Sequence, residues 1–199
     1  MDILDQAVIF RYHRQQLTTF DANTFGAVGW LNEAGQTARF NTFLSMTDLN
    51  DCSVLDVGCG NGAFRKHLFE RYPDARYLGI EMIPEFLQAA IATYGEMPET
   101  LFFEGDFSSA QLPFTDYIFA SGVFNYRTNE EEYLTRMITK LFNNCRTGFG
   151  FNLLSQTVDN TILKAYNPDE ILAFCQTLTS HVQLLNDYWE NDFTILMYK

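Results

Sequence analysis

At 199 residues and 47% hydrophobic content, the chain carries enough apolar surface for one ordinary α/β-sized domain and too little length for two. Thirteen Lys and Arg against 25 Asp and Glu give a formal charge of −12, and a field of that sign repels phosphate backbones and anionic membrane surfaces. Nucleic acid and membrane are therefore set aside as expected partners.

Leu4, Ala7, Val8, Tyr12 and Leu17 have a helical spacing, which predicts a helix from about Ile3 to Phe20. Arg11, His13 and Arg14 within it read as a small basic patch on a solvated face. Asp21 to Gly35 holds Gly26, Gly29 and Gly35 between Phe25, Val28, Trp30 and Leu31, the composition of a loop that packs aromatic groups. A second helix is predicted from about Gln36 to Thr47. The amino terminus, Met1-Asp2-Ile3-Leu4-Asp5, lacks the basic n-region of a signal peptide, and no apolar run approaches the roughly 20 residues a bilayer requires, so a cytoplasmic protein is expected.

From Ser53 short apolar runs alternate with longer periodic segments, the pattern of parallel strands joined by crossover helices. Strands are predicted at Ser53 to Val57, Arg76 to Glu81, Thr100 to Phe103, Asp116 to Ala120 and Gly148 to Leu154, with helices over Phe64 to Tyr72, Glu85 to Tyr94 and Asn129 to Phe142. Pro168 sits in the first turn of a further helix. His181 to Asp187 and Asp192 to Tyr198, so closely spaced, read as an antiparallel hairpin. The four cysteines, Cys52, Cys59, Cys145 and Cys175, show no C-x-x-C spacing and read as reduced, mostly buried thiols.

Chemistry concentrates where the strand Val54-Leu55-Asp56-Val57 runs into Gly58-Cys59-Gly60-Asn61-Gly62 ahead of a helix. Glycines at alternate positions let backbone approach a ligand at the carboxyl edge of the sheet. A dinucleotide loop has G-x-G-x-x-G; here the spacing is G-x-G-x-G, and a carboxylate at Asp56 is unwelcome beside pyrophosphate but suits a cation. Glu81 ends the next strand about twenty residues on, where a carboxylate can accept bonds from ribose hydroxyls.

These residues resemble the motifs of class I S-adenosylmethionine-dependent methyltransferases. The resemblance implies a Rossmann-like, doubly wound seven-stranded sheet, mostly parallel with an antiparallel carboxyl-terminal hairpin. Residues 1–50 would form a helical cap and residues 51–199 the cofactor-binding domain. By the same resemblance Asp56, Gly58, Cys59, Gly60 and Asn61 line the methionine moiety, Glu81 and Met82 meet the ribose side, Asp106 and Phe107 hold adenine, and Ser121 lies beside the transferable methyl group. The implied cofactor is S-adenosyl-L-methionine, with S-adenosyl-L-homocysteine as product.

For the acceptor side, Trp30, Arg39, Phe124 and Tyr126 are candidates, the aromatic members as a box around substrate or sulfonium and as ordinary packing otherwise. Arg39 could pair with a carboxylate of cofactor or substrate, with a surface ion pair as the default. Tyr12 and His13 are the catalytic candidates, because a histidine near neutrality can take a proton from an O–H or N–H acceptor. Asp116 reads as a strand-start cap, and His67 and His181 as structural. No Asn/Asp-Pro-Pro-Tyr/Phe/Trp segment is present; Ser121-Gly122-Val123-Phe124 occupies that place. Methyl transfer to an O, N or S atom of a small metabolite is the expected reaction. Another use of the same cofactor and a non-catalytic binding module stand as alternatives, and the oligomeric state is open.

Overall fold

A computed structural model describes residues 1–157 and 162–199. In chain order the elements are α1 (Ile3–Gln16), α2 (Glu33–Leu44), β1 (Ser53–Val57), α3 (Ala63–Arg71), β2 (Arg76–Glu81), α4 (Pro84–Tyr94), β3 (Thr100–Glu104), β4 (Thr115–Ala120), α5 (Tyr133–Asn144), β5 (Cys145–Leu154), α6 (Pro168–Gln176), β6 (Val182–Leu185) and β7 (Asp192–Tyr198). The strands form one seven-stranded sheet in the order β3-β2-β1-β4-β5-β7-β6. Pairs from β3 to β5 are parallel, and β7 runs antiparallel to both β5 and β6. The doubly wound sheet and reversed final hairpin are those expected. Strand order reverses between β1 and β4, so a crevice opens there beyond the carboxyl ends of the strands.

Both faces of the sheet are covered, which is why its central strands read as unbroken apolar runs. On one face Leu134, Met137, Ile138 and Leu141 of α5 pack against Phe149, Phe151 and Ile195. On the other, Phe40 and Phe43 of α2 join Phe64, Tyr77 and Phe119. Each such side chain contributes about 1.5–3 kcal/mol on full burial, so α2 is a structural layer of the sheet as well as a wall of the crevice. A third cluster, Ala27, Ile83 and Phe86, with Phe10, Leu17 and Val28 against it, seats α1 and the following loop on the start of α4.

Several boundaries differ from the periodic reading, and at three of them a hydrogen bond gives the local reason. Helix α1 stops at Gln16, where the Thr18 hydroxyl donates to Gln15 O at 2.7 Å and offers the backbone an alternative to the helical ladder. Helix α2 starts earlier, because Asn32 caps it by accepting from Gly35 N at 2.7 Å. Helix α5 starts later, because Asn129 donates its backbone and side-chain N–H groups to Asp5 on α1 and is held out of the helix.

The basic patch on α1 also divides. Arg11 and Arg14 are exposed as expected, but His13 is buried, only 4% exposed, and points inward.

Candidate active site

The turn after β1 is fastened to β2. Gly58 N and Cys59 N both donate to Ile80 O, at 2.8 and 3.1 Å. Gly58 has φ +67° and Gly60 φ +56°, the left-handed region that glycine enters without penalty. A Cβ at position 58 would overlap Val123 Cγ1. Gly58→Ala is therefore expected to displace the Ser121–Val123 segment and weaken cofactor binding at least tenfold by calorimetry, with Val123→Ala restoring part of the loss.

Glu81 accepts from three backbone amides, Gly60 N at 2.9 Å, Met82 N at 2.9 Å and Ile83 N at 2.8 Å. Burial raises its pKa, and those three bonds oppose the shift. Asp56 is equally buried and accepts from the Tyr77 hydroxyl at 2.7 Å. Burial pushes its carboxyl up to about 7, against the Tyr77 bond and with help from the Glu81 charge. Among the described residues neither carboxylate has an ion-pair partner. Two desolvated acids flanking a glycine turn form a site whose electrostatics call for a cation.

Asp106, just beyond β3, accepts from Ser108 N at 2.8 Å, Ser108 Oγ at 2.6 Å and Ser109 Oγ at 3.1 Å, which fix its rotamer. Gln6 Nε2 on α1 also donates to it, at 3.0 Å. Phe107 beside it and Met82 line the same crevice. Past β4, Asn152 holds the next segment, accepting from Gly122 N at 2.9 Å and donating to Ser121 Oγ at 3.3 Å. Cys59 and Asn61 also line the crevice; the Asn61 amide reaches back to Ala22 O and Thr24 O, tying the loop before α2 over the turn.

A cavity of about 220 Å³ runs from Asp106 and Phe107 past the turn to Tyr12, His13, Trp30 and Trp189. His13 Nε2 lies 2.7 Å from the Tyr126 hydroxyl and Nδ1 3.4 Å from Ala27 O. Burial lowers its pKa to about 4, so the imidazole is neutral rather than poised near 7. The Tyr12 ring meets His13 edge-on at 5.0 Å.

Besides His13, two sequence-predicted residues sit differently from expectation. Arg39 is not on the surface: it is 6% exposed, with its guanidinium 4.3 Å from the Trp30 ring and ion-paired with the 3%-exposed Asp192, which also accepts from Tyr188. Phe124 faces the core and does not line the cavity, packed between Phe107 and Phe151. Asp116 caps the strand edge as expected, accepting from Ser53 N at 2.7 Å and Ser53 Oγ at 2.6 Å. Trp189 lines the cavity, and Gln6, Asn152 and Asp192 contact residues that line it; sequence reasoning missed all four. Their roles come from contacts distant in the chain, and no local pattern marks them.

The model of a methyltransferase domain family matches residues 48–193. The Mycobacterium tuberculosis protein named "Putative methyltransferase Rv1506c" is 33% identical over 163 residues, covering 74% of this chain and 93% of its own. Trans-aconitate 2-methyltransferase of Rhodopseudomonas palustris is 34% identical over 89 residues, but that match spans 44% of this chain and only 34% of the relative. Among solved structures, magnesium protoporphyrin IX methyltransferase from Synechocystis PCC 6803 with bound S-adenosylhomocysteine shares the fold at a TM-score of 0.71 and 12% identity, over 98% of this chain and 99% of that one. The chain belongs to the class I S-adenosylmethionine-dependent methyltransferases.

Proposed function

We propose that the protein methylates an O, N or S atom of a small metabolite in the cytoplasm, and that Asp56, Gly58, Cys59, Gly60, Asn61, Glu81, Met82, Asp106, Phe107 and Ser121 form its cofactor site. The observation that carries this reading is the pair of buried carboxylates, Asp56 and Glu81, without a cation of their own around a glycine turn. S-adenosylmethionine fits that demand: its ammonium suits Asp56, its ribose hydroxyls suit Glu81 and its adenine amino group suits Asp106. The bound cofactor supplies a methyl group activated by a sulfonium, open to direct displacement by a nucleophile.

The protein's share is alignment and exclusion of water. Trp30 lies over Gly122, its ring 3.1 Å from where a Cβ would stand, and with Tyr12, Tyr126 and Trp189 it forms aromatic walls for an acceptor. The small size of the cavity, about 220 Å³, and the charge of −12 support a small acceptor over nucleic acid. The named trans-aconitate relative also acts on a small molecule. No helix among the described residues is long and apolar enough to cross a membrane, in keeping with the cytoplasmic reading.

The test is the pH dependence of S-adenosylhomocysteine binding, since that ligand keeps the ammonium. Asp56 must be ionised to receive it, so affinity is expected to rise roughly tenfold per pH unit below about 7 and to level off above. Asp56→Asn is expected to bind weakly with a flat profile. A flat wild-type profile would remove Asp56 from the site. In the ligand-free fold the sign reverses. A carboxyl raised from 3.8 to about 7 contributes stability on the acid side that is lost as pH climbs through that window.

A further inference from the structure

We propose that Tyr126 and His13 form a two-step proton acceptor on the cavity wall, and that the methyl acceptor is a neutral molecule bearing a removable proton, a phenol or aromatic amine, rather than a carboxylate. The inference rests on the methyltransferase reading and extends it to the substrate class.

The geometry specifies the tautomer. Ala27 O can only accept, so the imidazole carries its proton on Nδ1, which faces that oxygen. Nε2 is then bare, and the Tyr126 hydroxyl donates to it at 2.7 Å. Having given its proton to Nε2, the Tyr126 oxygen keeps lone pairs free to accept one from a molecule in the cavity it lines. His13 is wedged edge-on among Tyr12, Phe86 and Tyr126 at ring distances of 5.0, 5.2 and 5.8 Å. The titratable groups facing the pair are Tyr12, Glu81 and the two members themselves. Burial keeps His13 neutral at rest, so Nε2 is unprotonated before the transfer.

In the transfer, a lone pair of the acceptor's O or N forms the bond to the methyl carbon, and the electron pair of the carbon–sulfur bond stays on sulfur. The acceptor's proton passes to Tyr126 Oη as the proton of Tyr126 passes to His13 Nε2. One positive charge leaves sulfur and one appears on the imidazole, so the net charge of the site is unchanged. That conservation matters in a cavity where a lone new charge would be costly.

A carboxylate acceptor has no proton to lose and needs a cation to bind it. The cations on the described wall, Arg39 and the Met1 ammonium, are already ion-paired with Asp192 and Glu130. Asp56 and Glu81 repel a further anion. The aromatic surface of Trp30, Tyr12 and Trp189 instead suits a flat neutral ring.

The experiment uses phenol, aniline and benzoate as shape-matched probes. With S-adenosylmethionine and wild-type protein, mass spectrometry is expected to detect anisole or N-methylaniline and no methyl benzoate. Tyr126→Phe is expected to lower kcat roughly 10²-fold or more while S-adenosylhomocysteine affinity stays within twofold. His13→Gln is expected to lower kcat with KM for S-adenosylmethionine unchanged. As a readout independent of turnover, ¹⁵N NMR of the S-adenosylhomocysteine complex is expected to show His13 protonated on Nδ1 and neutral at pH 5.5, with its Nε2 signal moved by phenol and not by benzoate. Methylation of benzoate alone, failure of phenol and aniline both to bind and to react, the opposite tautomer, or full turnover by Tyr126→Phe would each overturn the proposal. Failure of the wild type to bind S-adenosylhomocysteine would instead overturn the cofactor reading beneath it.

Discussion

Glu81→Ala is expected to weaken S-adenosylhomocysteine binding by roughly 10²- to 10⁴-fold, the equivalent of two hydrogen bonds to a charged group at about 1.5–3 kcal/mol each. The effect has two sources. The carboxylate that would receive both ribose hydroxyls is gone, and so is the brace that collects Gly60 N, Met82 N and Ile83 N. Glu81→Gln keeps the shape and one carbonyl acceptor, so it is expected to lose about 10- to 10²-fold. Neither variant is expected to unfold, since removing a buried carboxylate also removes its desolvation penalty. Titration calorimetry reads both values directly. Wild-type affinity in Glu81→Ala would mean that the ribose is held elsewhere.

The largest effect on stability is expected from Arg39→Ala. Asp192 would be left 3% exposed and without its cation, with the Tyr188 hydroxyl as its remaining side-chain hydrogen-bond partner among the described residues. Breaking a buried pair from one side costs about 3–5 kcal/mol, because the surviving charge is uncompensated. For a chain of this size that lowers Tm by roughly 6–20 °C. Loss of the guanidinium from the Trp30 ring, 4.3 Å away, adds a smaller cation–π term. The double variant Arg39→Met/Asp192→Leu is expected to recover most of the loss, since it leaves no orphaned charge. Differential scanning calorimetry decides. An Arg39→Ala protein that melts with the wild type would show that the pair contributes nothing net.

Both predictions concern residues named from the chain, but the two were not equally legible. Glu81 could be placed because strand, glycine turn and the next strand-end acid follow at short separations, beside strands whose apolar runs are visible. The same holds for Asp56 and Asp106. Arg39 was visible as a candidate, but its partner lies on β7, and no periodicity links helix α2 to that strand. Phe124 read as a site residue because it follows Ser121-Gly122-Val123. Gly122, at φ +75°, redirects the chain there, and the ring packs into the core between Phe107 and Phe151. His13 read as a base near neutrality on a solvated helix face; its burial against Phe86 and Ala27 lowers its pKa to about 4 and leaves it neutral.

The sequence by itself determined the alternating strands and helices, the glycine turn and the three acids near strand ends and, through the family resemblance these carry, the methyl donor. Those features depend on residues a few positions apart, where backbone periodicity dictates which side chains share an edge. Only the tertiary structure decided how the cavity beyond the glycine turn is lined: the Tyr126–His13 contact, the Arg39–Asp192 pair and the aromatic walls. Each joins elements far apart in the chain. Such contacts are set by how α1, α2 and the final hairpin pack on the sheet, and packing is a property of the whole core.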